Sequence, residues 1–321
     1  MKKYVIGTND SGQRADKFIS KAVPKLPKSL LYKYIRKKRI KLNGKRCEIS
    51  TILCEGDVLE MYINDEFFSE RSRPEESFVP CSTDIDVVYE DSNIIIVNKR
   101  PGIDVHKSCA ETEDTLIGRI KSYLYKNGEY VPEKENCFSP AVCNRLDRNT
   151  SGLVIAAKNA QALREVNEKI RNREIKKTYL YVSPFAPEKS FGTERAYLKK
   201  GGHNQVDISP SEKNGYKEII TGYRVLAQSA DLNLIEVKLI TGRTHQIRAH
   251  MAYLGAPVLG DGKYGNIEAN KKYKVFRQLL CAFSLEFEIE GECCISSLRG
   301  RRFVCPEVDF VSKYFKGFDI T

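Results

Sequence analysis

The sequence has no apolar stretch long enough for a membrane helix, and its basic start lacks the apolar run of a signal peptide. We therefore expect a cytoplasmic protein with no membrane partner. Its ten cysteines include no Cys-x-x-Cys pair, which argues against a zinc site or a disulfide framework and predicts reduced thiols. No P-loop, dinucleotide fingerprint, fixed-period repeat or low-complexity tract is present. The glycines at 242 and 260–265 are accordingly predicted to form turns, not a phosphate cradle.

The overall composition is that of a globular protein. Hydrophobic residues make up 41% and charged residues 30% of the 321 residues, which argues against disorder. This length exceeds that of an average domain, so one large and one small domain are expected. Lys and Arg number 53 against 42 Asp and Glu, a formal net charge of +11, and this favours an anionic partner.

The positive charge is concentrated at the start of the chain. Residues 1–63 carry 15 Lys and Arg against 6 Asp and Glu, which predicts a separate basic module. A helix is expected from Ser29, with its apolar positions on one face and cationic positions elsewhere, Lys33, Arg36 and Lys37. A hairpin with an Asn-Gly turn is expected at 40–45, and a second strand at 58–63.

This helix and hairpin unit resembles the S4 RNA-binding module, a small α/β fold whose exposed basic helix lies against folded RNA. The resemblance implies that Lys33, Arg36 and Lys37 bind RNA. The alternative is that the helix simply presents a solvated charged face.

The rest of the chain is predicted to be a linker at 64–81 and an α+β catalytic domain at 82–321. The linker is acidic, contains prolines and has few periodic apolar positions. Beyond it, short β-rich runs recur, with helical patterns at 114–126, 159–171 and around 244–254. The strands and helices interleave irregularly, so a mixed sheet is expected instead of a doubly wound parallel one.

One stretch places a carboxylate between two arginines, just before a small-residue turn and a buried strand. It reads Asn144-Arg145-Leu146-Asp147-Arg148-Asn149-Thr150-Ser151-Gly152-Leu153. Flanking arginines favour the ionised form of Asp147, which suits nucleophilic attack or stabilisation of a positive transition state. Reasoning from the residues alone stops at this anionic carboxylate.

The same stretch is similar to the central motif of the RluA family of pseudouridine synthases, whose Asp is the essential catalytic residue. Three further stretches resemble that family in the same order: Val97-Asn98-Lys99-Arg100-Pro101-Gly102, Lys177-Thr178-Tyr179, and Leu239 to His250 continuing to Asp261. The resemblance spans roughly residues 85–305. It implies a mixed, largely antiparallel pseudouridine synthase fold and an isomerase that flips uridines out of structured RNA without cofactor or metal.

The resemblance also implies site residues. Asp147 would attack C1′ or C6, or abstract the C2′ proton to give a glycal. Arg145 would fill the vacated stack or hold a phosphate, unless it forms a structural ion pair. Tyr179 would stack on the target base and assist loss of the C5 proton, unless it is a core aromatic. Arg248 would pair with Asp147, with Arg243 as the rival.

Three polar residues of the Gly242 to Arg248 stretch are predicted to bind RNA: Arg243, His245 and Gln246. A metal site at His245 and His250 is not expected, because no carboxylate joins them at zinc-like spacing. One departure from the family is Asn144, which replaces a histidine. Asn keeps hydrogen bonding but does not titrate near neutrality, so we expect it only to support the loop.

We expect a pseudouridine synthase for large-subunit ribosomal RNA, because the S4-like module resembles that branch of the family. Two alternatives remain open at this stage. One is isomerisation of tRNA, and the other is a non-catalytic RNA-binding or ribosome-assembly protein. A monomer is expected by default.

Overall fold

The computed structural model describes residues 1–68, 78–106, 114–202 and 205–320. The N-terminal part contains these elements: β1 (Lys2–Val5), α1 (Ala15–Ala22), α2 (Lys28–Arg36), β2 (Ile40–Leu42), β3 (Lys45–Arg46) and β4 (Val58–Met61). Its four strands form an antiparallel sheet in the order β1-β4-β2-β3. The predicted hairpin and second strand are therefore present, and β1 and α1 extend them.

The hairpin and the basic helix follow from local sequence. Asn43 and Gly44 both have positive φ, 51° and 73°, as a two-residue hairpin turn requires. Helix α2 begins at Lys28, one residue before the predicted start. Its buried side chains are Leu31 and Ile35, four residues apart on one face.

The second part contains these elements: β5 (Asp86–Glu90), β6 (Ile94–Lys99), α3 (Leu116–Lys126), β7 (Ala141–Val142), β8 (Ser151–Ala157), α4 (Ala160–Arg171), β9 (Ile175–Ser183), β10 (Phe191–Lys200), β11 (Val206–Ser209), β12 (Lys217–Ser229), β13 (Leu232–Leu239), α5 (Gln246–Tyr253), α6 (Ile267–Tyr273), β14 (Leu280–Phe287), β15 (Arg302–Val304) and α7 (Asp309–Tyr314). One eleven-stranded sheet runs β11-β10-β12-β13-β9-β14-β8-β6-β5, with β15 beside β14 and β7 beside β8. The prediction of an α+β domain with a mixed sheet is confirmed.

Strands β8 and β14 form the parallel contact of this sheet, and it is short: Ser151 pairs with Cys281 and Gly152 with Ala282. Gly152 has φ +107°, and a Cβ there would lie 2.3 Å from the Ala282 carbonyl oxygen. Only glycine permits this approach of two backbones. The contact holds the start of β8, and therefore the loop before it, against the middle of the sheet.

The two parts of the protein touch through polar groups, of which Asp10 is buried. Asn136 donates from Nδ2 to Asp10 Oδ2 (2.6 Å) and to the Val5 carbonyl (2.8 Å). Asn9 donates to Glu135 Oε1 (2.7 Å). Asp10 is buried, so this contact is part of the packed structure and not a loose surface association.

The predicted domain boundaries stay a prediction. A short 3-10 helix, Asp65–Phe67, lies at the start of the predicted linker. Residues 69–77 of the linker fall outside the described residues. Among the described helices, none is long and apolar enough to cross a membrane.

Candidate active site

Asp147 lies in the loop that joins β7 to β8. The Thr150 amide donates to the Asp147 carbonyl (3.0 Å) and closes a turn around it. Asn144 anchors the loop from the other side, because its Nδ2 donates to the Leu153 carbonyl (3.1 Å) and its Oδ1 accepts from the Ile155 amide (2.8 Å). Asn144 therefore supports the loop through both ends of its amide, the role expected for it.

Arg248, on the first turn of α5, is clamped between two carboxylates. Its Nη1 donates to Asp147 Oδ2 (2.6 Å), while Nε and Nη2 donate to both oxygens of Asp261 (2.6 and 2.8 Å). Burial alone would lower the pKa of the Arg248 guanidinium, but Asp261 and Asp147 raise it above the usual value. The side chain of Asp147 remains 28% exposed, whereas that of Arg248 is 7% exposed. The Asp147 carboxylate is therefore accessible, whereas Arg248 and Asp261 are buried.

Asp261 is the buried anchor of this clamp. Its Oδ1 also accepts from the amides of Lys263 (2.8 Å) and Tyr264 (3.2 Å). Burial would raise the pKa of the Asp261 carboxyl, but Arg248 and these amides hold it below the usual range. The preceding Gly260 has φ +82°, and a Cβ there would lie 2.0 Å from the Arg277 carbonyl oxygen. The 260–265 glycines thus form a turn, as predicted, and the turn positions a charge.

His245 faces the same carboxylate from the helix start. It has φ +55°, and its Nε2 lies 3.9 Å from Asp147 Oδ2. Its Nδ1 lies 3.0 Å from the Tyr264 hydroxyl, which also accepts from the Val206 amide (2.8 Å). Burial lowers the pKa of His245 despite the charge of Asp147, so the imidazole is neutral at pH 7. If Tyr264 donates its O–H to Nδ1, the ring carries its proton on Nε2, towards Asp147.

Tyr179 lies on β9 and is 6% exposed. Burial and the nearby charge of Asp147 raise the pKa of its phenol. The phenol is therefore close enough to Asp147 to feel its charge, and it keeps its proton at neutral pH.

Lys99, at the end of β6, is fully buried and binds three backbone carbonyls. Its Nζ donates to those of Arg100 (3.0 Å), Ile103 (3.0 Å) and Arg148 (2.9 Å). Burial lowers the pKa of Lys99 to about 8, although Asp104 and Asp147 act in the opposite direction. Lys99 thus ties the turn after β6 to the residue that follows Asp147.

The other predicted site residues differ in exposure and in their contacts. Arg145 and Arg243 are exposed, and the ion pair of Asp147 is with Arg248, not with its rival Arg243. Gln246 is buried, and its amide bonds Thr241 Oγ1, Thr221 Oγ1 and the Ile220 carbonyl. The Gln246 amide is thus engaged within the protein, and that Gln246 binds RNA stays a prediction.

The predicted cationic residues of α2 are all exposed: Lys33, Arg36 and Lys37. His250 lies in the core, with Nδ1 2.9 Å from Thr221 Oγ1. Within the described residues, no group of three His, Cys, Asp or Glu is placed to hold a metal ion.

Reasoning from the sequence missed the roles of Lys99, Asp261 and Tyr264. Lys99 and Asp261 stand inside the stretches that carry the family resemblance, but no residue pattern near them indicates a partner. Lys99 meets Arg148, 49 residues further on, and Asp261 meets Arg248, 13 residues before it, so neither contact follows from the spacing within a helix or strand.

An accessible carboxylate held by an arginine beside a mixed sheet, with a basic module ahead of it, suits an enzyme that acts on an anionic partner. Comparison with known proteins then identifies the family. Residues 93–253 match the model of RNA pseudouridylate synthase, and residues 13–59 match the S4 domain. The chain belongs to the RNA pseudouridylate synthase family and is an RNA pseudouridine synthase, an isomerase. The predicted RluA-type synthase with an S4-like domain is confirmed.

Several relatives extend over most of the chain. An uncharacterized RNA pseudouridine synthase of Mycoplasma capricolum is 33% identical over 90% of this chain and 92% of its own length. A ribosomal large subunit pseudouridine synthase D of Borreliella burgdorferi is 31% identical over 69% of this chain and 67% of its own. A ribosomal large subunit pseudouridine synthase C of Rickettsia conorii is 31% identical, with 79% and 83% covered.

Solved structures agree on the fold. Human RNA pseudouridylate synthase domain containing 4 superposes with a TM-score of 0.56 at 20% identity and covers 72% of this chain and 91% of its own. Human RNA pseudouridylate synthase domain containing 1 gives 0.53 at 22% identity, with 75% and 98% covered. At these identities the likeness is one of fold.

Proposed function

We propose that this protein converts specific uridines of large-subunit ribosomal RNA to pseudouridine in the cytoplasm, with Asp147 as the catalytic residue. The observation that carries the proposal is the clamp of Asp147, Arg248 and Asp261. The names of the Borreliella and Rickettsia relatives support the choice of large-subunit RNA. That the enzyme acts as a monomer stays a prediction.

Asp147 is suited to act on a flipped nucleotide. A uridine in a helix or stacked loop hides its glycosidic bond, so it must leave the stack before it reaches the carboxylate. Arg248 engages Oδ2 of Asp147, which aims the carboxylate and directs Oδ1 to the reaction. A carboxylate placed in this way adds to C1′ or C6, or removes the C2′ proton. All three routes end with the base reattached through C5 and the C5 proton lost.

Tyr179 and Arg145 serve the nucleotide in different ways in this proposal. The buried ring of Tyr179 packs against the flipped base beside Asp147. That Tyr179 also assists loss of the C5 proton stays a prediction. Exposed Arg145 fills the gap in the RNA stack or holds a phosphate of the flipped nucleotide. Arg243 and His245 lie at the start of α5, where Arg243 is open to RNA and His245 faces the carboxylate.

The amino-terminal module supplies affinity. Three cationic side chains on α2 and at its carboxyl end are exposed to solvent: Lys33, Arg36 and Lys37. This exposure suits contact with phosphates. The contact between Asn136 and Asp10 holds this module on the catalytic domain. RNA bound to α2 is then presented at a defined distance from Asp147.

The test is tritium release from 5-tritiated uridine in large-subunit ribosomal RNA, for the wild type and for Asp147→Asn. Moving the glycosidic bond to C5 must expel that label. Release by the wild type, none by Asp147→Asn, and equal RNA affinity of the two proteins are expected. A parallel reaction with tRNA tests the substrate: release from tRNA alone would overturn the ribosomal assignment, and release by Asp147→Asn would overturn the role of Asp147.

A further inference from the structure

The segment after α6 carries an exposed aromatic ring, Phe276, and contacts the loop that contains Asp147 through Gln278. Phe276 is 75% exposed and is the most exposed large apolar side chain in the described part of the chain. Exposure of a phenyl ring gains nothing in free energy, since apolar surface in water is unfavourable. Val275, directly before Phe276, and Gln278, two residues after it, are buried, so the exposure belongs to a well-anchored segment and not to a loose loop.

Two contacts join this segment to the catalytic groups. Gln278 donates from Nε2 to Thr150 Oγ1 (2.8 Å), and the amide of Thr150 closes the turn around Asp147. The Arg277 carbonyl packs directly on Gly260, next to the Asp261 that anchors Arg248. Phe276 therefore follows α6 and precedes Gln278, which contacts the loop that contains Asp147. The backbone of the same segment, at Arg277, packs against Gly260.

Two exposed cationic residues stand close to Phe276 in the sequence. Lys274, which ends α6 in a left-handed conformation with φ +53°, and Arg277 are both exposed. An aromatic face with cations beside it is the arrangement by which proteins hold unstacked bases and their phosphates. When a uridine is flipped out, its neighbours in the strand lose a stacking partner and become available to such a ring.

We propose that Phe276 is a stacking platform for a substrate base adjacent to the target uridine, with Lys274 and Arg277 contacting the flanking phosphates. The platform rests on the proposed function, because flipping the target uridine frees the neighbouring base. It adds a subsite for a nucleotide that does not react. It also makes the enzyme selective for sites where that neighbour can leave its own stack.

The first experiment compares Phe276→Ala with Phe276→Tyr in the tritium-release assay. Loss of one base–aromatic stack is expected to lower kcat/KM by about five- to a hundredfold, and the tyrosine ring should restore it. Unfolding stability should stay at the wild-type level in both variants, because the side chain is exposed. Wild-type kcat/KM in Phe276→Ala would overturn the proposal.

Phe191 provides the matched control. It is 70% exposed and pairs with Arg224, whereas the next residue, Gly192, lies in register through Tyr223 and Val237 with Tyr179. Side chains alternate along a strand, so Phe191 projects from the face of the sheet opposite Tyr179. Phe191→Ala should therefore retain wild-type kcat/KM.

The second experiment uses the absence of tryptophan from the chain. Phe276→Trp introduces a single fluorophore at the platform, and Phe191→Trp introduces one at the control position. Titration with a short stem-loop from large-subunit ribosomal RNA should quench the first and leave the second unchanged. No quenching of Phe276→Trp at saturating RNA would overturn the platform. Failure of the wild type to release tritium from any RNA would instead remove the proposed function, and the fluorescence would still decide the platform.

Discussion

At the residue scale, Arg248 forms unequal numbers of hydrogen bonds with its two carboxylate partners, Asp261 and Asp147. It donates two hydrogen bonds to the fully buried Asp261 and one to the half-buried Asp147. Asp261 also accepts backbone amides, so its position is set by the turn that contains it. The buried ion pair of Arg248 and Asp261 thus fixes the guanidinium, and its one hydrogen bond to Asp147 orients that carboxylate.

Asp261→Asn should damage both stability and catalysis. The buried guanidinium would lose its bidentate partner, and breaking a buried ion pair from one side costs about 3–5 kcal/mol. Urea unfolding should show this loss, and tritium release should fall in kcat with RNA affinity retained. Asp231→Asn removes an exposed pair with Lys272 and should change neither property. Wild-type stability of Asp261→Asn would show that the clamp does not depend on its buried anchor.

The burial of His250 makes the free energy of unfolding depend on pH. Burial lowers the pKa of its imidazole from 6.5 to about 4, so below pH 6.5 the unfolded chain takes up a proton that the folded protein does not. Stability from this group is complete above pH 6.5 and is lost as the pH falls towards 4, by about 2 kcal/mol between pH 7 and 5.

His250→Gln should make that acid loss smaller, because an amide can still bond Thr221 but does not titrate. The measurement is the free energy of unfolding of both proteins at pH 7 and at pH 5. An identical difference between the two pH values in wild type and variant would remove His250 as the source.

At the scale of elements, the start of β8 is the critical place in the sheet. The loop with Asp147 ends where β8 meets β14, and Gly152 permits the two backbones to touch there. Strand β9 lies on the other side of β14 and brings Tyr179 opposite Ala282. Three strands from distant parts of the chain therefore place the carboxylate and the ring together.

Gly152→Ala should separate β8 from β14. Its Cβ would meet backbone atoms of Ala282, which cannot move aside as a side chain can. Forced overpacking of this kind costs about 1–3 kcal/mol, and the shift would move Asp147 relative to Arg248. Thermal unfolding and kcat should both fall. Gly202→Ala, where a Cβ meets open space, is the control and should resemble the wild type.

At the scale of the whole molecule, charge and chemistry are divided. Residues 1–63 carry a net charge of +9 out of +11, while the proposed catalytic residues, Asp147, Tyr179 and Arg248, lie in the second part of the chain. A part-buried hydrogen bond from Asn136 to Asp10 joins the two parts. We therefore expect substitutions to change affinity and catalysis separately.

Replacing Lys33, Arg36 and Lys37 together by Ala should weaken RNA binding and flatten its salt dependence. Each lost phosphate contact removes about 0.7–0.9 from the log–log slope of affinity against salt. Binding isotherms at several salt concentrations measure the slope, and tritium release at saturating RNA should keep its kcat. An unchanged slope would take α2 out of the interface.

Much of this organisation could be predicted from local pattern. The helices expected at 114–126, 159–171 and 244–254 are α3, α4 and α5 with shifts of one or two residues at most of their ends, because amphipathic spacing is a local property. Strands such as β10, β12 and β14 were not predicted individually. Their identity as strands depends on partners across the sheet, which a single stretch of sequence does not contain.

The sequence by itself determined the basic module, the mixed α+β class, and the motif that contains Asp147 with Tyr179 and Arg248 after it. Residue type and local order carry that information. Only the tertiary structure decided that Arg248 and not Arg243 holds the carboxylate and that Asp261 holds Arg248 from the other side. It also decided that the Gln246 amide bonds groups within the protein. Those roles depend on burial and on contacts between residues up to about a hundred positions apart, and such distances exist only once the chain has folded.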